Sequence, residues 1–121
     1  MESDRAVAPA GDDAATWRAW YDRRVDRRVM SGHYTLAESY KLAYGQAQAA
    51  WHRRHGAKPD PSRCAGCGEP IGDAAIHAFP DGAAVHDHDL HCWAAYGRRW
   101  RQAAADGLAA LGLPPPEGWE A

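Results

Sequence analysis

Cys64 and Cys67 stand two residues apart, and Cys92 follows at the head of a helical stretch, preceded by His86, His88 and His91. Thiolates and imidazoles at about 2.0 to 2.3 Å are what a tetrahedral zinc ion takes, and a two-residue spacer lets one tight turn aim both sulfurs at a common point. Gly68, directly after the second cysteine, supplies the backbone conformation that such a knuckle asks for. A redox CxxC pair would instead open a helix in a thioredoxin-like βαβ unit, whereas Gly66, Gly68 and Pro70 surround this one. Disulfide pairing would leave one of the three cysteines over.

Three histidines compete to complete the set. The strand-like run 83–86 ends on His86, while residues 90–93 already read as helix. Adjacent His91 and Cys92 point about 100° apart on a helix and make a poor ligand pair. His88 lies four residues before Cys92 and can share its helical face. The expected ligands are therefore Cys64, Cys67, His86 and Cys92, with His88 and then Asp89 as alternatives. The histidines left over are polar surroundings of the site, some of them partners of its ligands.

The elements that must position these residues follow from periodicity and turn chemistry. Residues 1–12 are small and polar and are expected to be disordered. Asp12 or Asp13 then caps a helix in which Trp17, Trp20, Tyr21, Val25 and Val29 recur at helical spacing. Ser31-Gly32-His33 interrupts it, and Thr35 with Glu38 forms a capping box for a second helix. That helix carries Leu36, Tyr40, Ala43, Tyr44, Ala47 and Trp51 on one face and stops near Gly56. Lys58-Pro59-Asp60-Pro61 reads as a stiff linker. Residues 75–79 and 83–86 flank the turn Pro80-Asp81-Gly82 and predict a β-hairpin. The last helix places Trp93, Gly97, Trp100, Ala104, Leu108 and Leu111 on one face, and Pro114-Pro115-Pro116 closes it. The expected fold is α+β and mostly helical: a helical hairpin over 13–57, a linker over 58–63, a zinc-binding unit over 64–113 and a tail over 114–121. Knuckle, β-hairpin and long C-terminal helix together read as a treble-clef zinc finger.

The runs Cys64-Ala65-Gly66-Cys67-Gly68, Val85-His86, Cys92-Trp93-Ala94-Ala95-Tyr96-Gly97-Arg98-Arg99-Trp100-Arg101 and 108–113 resemble a group of small alphaproteobacterial treble-clef zinc-finger proteins associated with mobile elements. The resemblance covers most of residues 17–113. It implies no activity. It does favour His86 as third ligand, because the group's histidine follows an aliphatic strand residue as His86 follows Val85. The wider gap from His86 to Cys92 keeps His88 in contention.

With 121 residues and a formal charge of −2, the chain is no globally basic polyanion binder, though local basic patches are allowed. No apolar run approaches the roughly 20 residues of a membrane span. The opening Met1-Glu2-Ser3-Asp4-Arg5 is not followed by an apolar signal core, so a cytoplasmic location is expected. Three basic clusters stand beside tryptophan or tyrosine: Arg23, Arg24, Arg27 and Arg28; Arg53 and Arg54 between His52 and His55; and Arg98, Arg99 and Arg101. Arginine forks suit phosphate and aromatic faces suit bases, although arginines also decorate solvated helix faces and tryptophans fill cores. The string Val85-His86-Asp87-His88-Asp89 resembles the metal-and-base histidines of HNH nucleases, but that chemistry needs a downstream asparagine and the chain contains none. The expected function is that of a non-enzymatic, zinc-containing accessory or regulatory protein whose partner is nucleic acid or a nucleoprotein complex. No membrane or small-molecule substrate is expected. The competing expectation is a protein-interaction module, such as a mobile-element-encoded inhibitor of a nucleoprotein complex.

Overall fold

The computed structural model describes residues 7–72, 76–86 and 90–120. Among the described residues, three helices and one two-stranded antiparallel hairpin make an α+β, mostly helical fold. Helix α1 (Ala14–Ser31) starts on Asp13, whose carboxylate accepts from the Thr16 N–H, and ends at Gly32 with a left-handed φ of 76°. Helix α2 (Leu36–His55) opens with both halves of the capping box: the Glu38 N–H donates to Thr35 Oγ1 at 3.1 Å and the Thr35 N–H to Glu38 Oε1 at 2.8 Å. Each reciprocal bond satisfies a backbone group that a helix start would otherwise leave open.

The two helices bury Trp17, Trp20, Tyr21 and Val25 of α1 against Ala43, Tyr44, Ala47 and Ala50 of α2. Large side chains on one helix meet alanines on the other, so the layers interlock. Val29, Leu36 and Tyr40, expected on the buried stripe, are instead partly exposed. They lie at the turn end of the hairpin. An apolar groove of about 410 Å³ runs between Leu36, Tyr40 and residues 114–116 of the C-terminal segment.

Strand β1 (Ile76–Ala78) pairs with β2 (Ala84–His86) in the register His77 opposite Val85. Helix α3 (Leu90–Ala110) then runs for 21 residues and belongs to two cores. Its second half places Ala105 and Leu108, followed by Leu113, in the core of α1 and α2. Its first half places Cys92 beside Cys64 and Val85, with Ile71, Phe79, Trp93 and Tyr96 packed around them. Residues of the expected unit 64–113 thus contribute to both clusters. Buried Gln48 fixes the junction by donating from Nε2 to the Arg101 carbonyl at 3.1 Å.

Both ends of the described chain are tied down. Residues 7–12, expected to be disordered, lie against α2, with Pro9 buried and Ala8 packed on the helical core. In the tail, Trp119 meets Tyr44 edge-on at 5.6 Å. None of the six tryptophans is fully exposed, and each finds a ring or core partner. Five of them belong to the cores or pack against them, and Trp100 stacks on His52.

Gly107 of α3 abuts the Trp51 ring, where a Cβ would come within 2.2 Å of a ring carbon. An exposed glycine-to-alanine change in a helix gains about 1 kcal/mol, whereas overpacking of this kind costs about 1 to 3 kcal/mol. Gly107→Ala should therefore lower the midpoint of thermal unfolding despite the better helix former; a raised midpoint would show that Trp51 moves aside freely.

Candidate metal centre

Ligand convergence begins in the chain before the cysteines. Asp60 Oδ1 accepts from both the backbone N–H and the hydroxyl of Ser62, which turns the chain out of the proline-flanked linker. Cys64 N–H donates to the Glu69 carbonyl and Gly68 N–H to the Cys64 carbonyl, closing the knuckle. Gly68 sits at φ 81°, as the sequence requires. The Gly66 and Cys67 N–H groups point at Cys64 Sγ, at 3.3 and 3.5 Å. One further bond, from Ala65 N–H to the Ala84 carbonyl at 2.8 Å, lays the knuckle beside β2 and so beside His86. Gly66 also lets the knuckle touch the first turn of α3: a Cβ there would lie 2.3 Å from the Cys92 carbonyl oxygen.

Knuckle, strand end and helix start thereby bring Cys64, Cys67, His86 and Cys92 together, with one donor atom of each within 4.8 Å of every other. His86 presents Nδ1, 3.5 Å from Cys67 Sγ and 3.9 Å from Cys92 Sγ. The sulfur-to-nitrogen edge of a tetrahedral zinc site is about 3.6 Å, from bond lengths of about 2.3 and 2.05 Å. The four residues could hold a metal ion. His88 and Asp89, the alternative ligands, lie outside the described residues.

Electrostatics point the same way. Burial opposes ionisation of Cys64, but donation from the backbone of Cys67, His86 and Gly66 brings its pKa down to about 6. Burial first, then hydrogen bonds to Cys64 and Cys67 and last their charge, push Cys92 up to about 12. A cation among the sulfurs would favour the thiolate form that burial opposes.

The arginines expected to bind phosphate are mostly committed within the protein. Arg24 and Arg28 share Gln46 Oε1, at 3.3 and 2.9 Å, and Arg24 lies over the Trp20 ring. Arg23 and Arg27 occupy the same helix, and both engage in interactions of their own. Arg53 and Arg54 donate to backbone carbonyls of residues 7–11. Arg99 donates to the carbonyls of Ala65 and Gly66 and so braces the knuckle. Arg98 is exposed, and Arg101 lies 5.8 Å from the Trp100 ring.

Folding also assembles two features that sequence alone hides. Lys58 and Arg63 join Arg99 along a crevice of about 410 Å³ whose other walls include His52, Tyr96 and Trp100. These residues come from α2, the linker and α3, and the fold brings Lys58 and Arg63 of the linker to the same crevice as Arg99 of α3, far from them in the chain. At the crevice's edge, His52 Nε2 lies 2.8 Å from Asp81 Oδ2, to which the Tyr96 hydroxyl also donates. His52 stacks on Trp100 at 4.8 Å. This cluster joins α2, the β-turn and α3. Burial raises the Asp81 pKa, but donation from Tyr96, His52 and the Ala83 N–H outweighs it and leaves the carboxyl below its usual range.

Comparison with known proteins finds no matching family model, no similar curated protein and no similar solved structure. Among the described residues, no helix is long and apolar enough to cross a membrane.

Cys92→Ser should abolish metal retention and release the knuckle and hairpin, while the α1–α2 core keeps its buried Trp17; His91→Ala should retain the metal. Elemental analysis and near-UV circular dichroism read both. Metal retention should also weaken as pH falls, because the ligands must lose protons to bind. Asp81→Asn should cost about 1 kcal/mol, the ordinary worth of a hydrogen bond to a charged group discounted for partial exposure. Because the folded-state pKa is depressed, the native advantage is complete above the ordinary value of 3.8 and is lost as pH falls through the folded value. Urea titrations at several pH values test this; a constant difference down to strong acid would count against the carboxylate.

Proposed function

We propose that this chain is a non-enzymatic, treble-clef zinc protein that binds nucleic acid through the crevice beside its knuckle. The supporting observation is the crevice itself. Three cations, Lys58, Arg63 and Arg99, face one carboxylate, Asp60, which is already engaged by Ser62. Between them lies a largely apolar wall that includes Tyr96 and Trp100. Cations that attract phosphate next to aromatic surface that accepts bases are the ingredients of single-strand binding. Arg98 and Arg101, on the same helix as Arg99, extend the positive field.

Cys64, Cys67, His86 and Cys92 would hold the zinc, a choice that rests on three soft thiolates and one imidazole at tetrahedral spacing. Bound there, the ion would neutralise the thiolates and staple knuckle, strand and helix into one piece. Four protein donors fill a tetrahedral shell, which is the pattern of structural rather than catalytic zinc. His86 turns Nδ1 toward the cysteines and is thus unsuited to the water-activating role of a nuclease histidine. The three free cysteines agree with the reducing cytoplasm.

A second reading has its own observation. Val29, Met30, Tyr34 and Leu36 are 41%, 86%, 42% and 59% exposed around the α1–α2 turn, and clustered apolar exposure marks protein partners. Salt separates the two. The triple variant Lys58→Gln, Arg98→Gln and Arg101→Gln spares Arg99 and its bonds to the knuckle. It should remain folded, bind single-stranded DNA more weakly, and show a log affinity to log salt slope shallower by about 0.7 for each phosphate no longer engaged. Unchanged affinity and slope in the variant would transfer the function to the turn surface.

A further inference from the structure

Arg53, Arg54 and His55 end α2 as three consecutive basic residues, and all three are turned onto residues 7–12. Arg53 donates to the Val7 carbonyl at 3.2 Å. Arg54 donates to the Pro9 carbonyl at 2.6 Å and the Gly11 carbonyl at 2.9 Å, and lies 3.3 Å from the Asp12 carboxylate. His55 Nε2 meets Asp12 Oδ2 at 2.8 Å. We propose that residues 7–12 are a removable strap laid over a second phosphate-binding surface, formed by Arg53, Arg54 and His55.

What these side chains hold is chemically a stand-in for a phosphate backbone: several carbonyl oxygens and one anionic pair, bound by a guanidinium fork. The strap contributes little else. Among its residues only Pro9 is buried and Ala8 packed on the core, while Val7 is 69% exposed. A segment with few apolar contacts and mainly exposed hydrogen bonds opens at small free-energy cost. Asp12 gives it an electrostatic anchor, since hydrogen bonds first from His55 and then from Trp17 and Arg54 bring its pKa down to about 2.

The covered cations continue the crevice. Arg53 borders the cavity that also takes in Asp81, Tyr96 and Trp100. His52 lies on both that cavity and the crevice lined by Lys58, Arg63 and Arg99. Lifting the strap would therefore join two cationic surfaces into one track, through which a single strand could run. The proposal rests on the phosphate-binding reading of the crevice.

Binding of an oligothymidylate strand, followed by fluorescence anisotropy across a salt series, tests it. A variant lacking residues 1–10 keeps the Asp13 cap and the Asp12–Trp17 bond. It should bind more tightly than the full chain, with a slope steeper by about 0.7 for Arg53, which loses the Val7 carbonyl, while Arg54 gives up Pro9 but keeps Gly11 and Asp12. Removing those residues takes out Glu2, Asp4 and Arg5, so the full-length Glu2→Gln variant, with the same change in net charge, measures the general charge effect. Should the shortened chain not fold, full-length Asp12→Asn decides: it matches Glu2→Gln in charge, keeps an acceptor for Trp17 and loosens the strap. Gains in either strap variant beyond Glu2→Gln support the proposal. Strap variants no better than Glu2→Gln, while the Lys58, Arg98 and Arg101 triple variant still weakens binding, overturn the strap and leave the crevice. The reverse pattern overturns the crevice and leaves the strap. No binding by any form overturns both.

Discussion

Three sulfurs and a ring nitrogen brought within a few ångströms of each other are a problem before they are a site. Sulfurs so close together resist ionising together, and as thiolates without a cation they would repel one another and push apart whatever carries them. The rest of the smaller core is arranged around that constraint. Its apolar content is Val85 with half-buried Ile71, Phe79, Trp93 and Tyr96, and its sheet is two strands of three residues. A two-stranded hairpin of this size does not persist by itself, so the donors must contribute order as well as charge.

The helical half answers a different requirement. It folds by ordinary burial of aromatic side chains against alanines, with both helices capped by their own side chains. The two halves share α3, and they are fastened at its flanks by the Gln48 bond to the Arg101 carbonyl and by His52, Asp81 and Tyr96. Much of the arginine content serves this internal fastening. A guanidinium that already donates to Ala65 and Gly66, as Arg99 does, both braces the knuckle and adds positive charge to the crevice.

Local rules in the sequence were sufficient wherever the determining residues are neighbours. The Thr35–Glu38 capping box, the left-handed Gly68 and the hairpin around Asp81 were legible because each depends on a few adjacent residues. That Cys64, Cys67, His86 and Cys92 lie close together was legible because cysteine and histidine spacing carries geometric meaning. What could not be read depends on distant pairs. Nothing near Arg54 in the chain signals that it will hold the Pro9 carbonyl, and nothing near Arg63 signals Arg99 across a crevice. The double packing of α3 was hidden for a related reason: its apolar stripe is continuous, so periodicity cannot show that its two ends face different partners.

Helix α3 works as a ruler. At about 1.5 Å per residue its 21 residues span about 32 Å, with Cys92 committed to the donor cluster near one end and Leu108 to the helical core near the other. Each residue added to or removed from the interval between them would rotate one end by about 100° relative to the other. Either the sulfur or the leucine would then face the wrong way. Length variation should therefore be confined to the connections outside this interval, and the separation of Cys92 from Leu108 should stay fixed among chains that fold alike, even where the residues between them change.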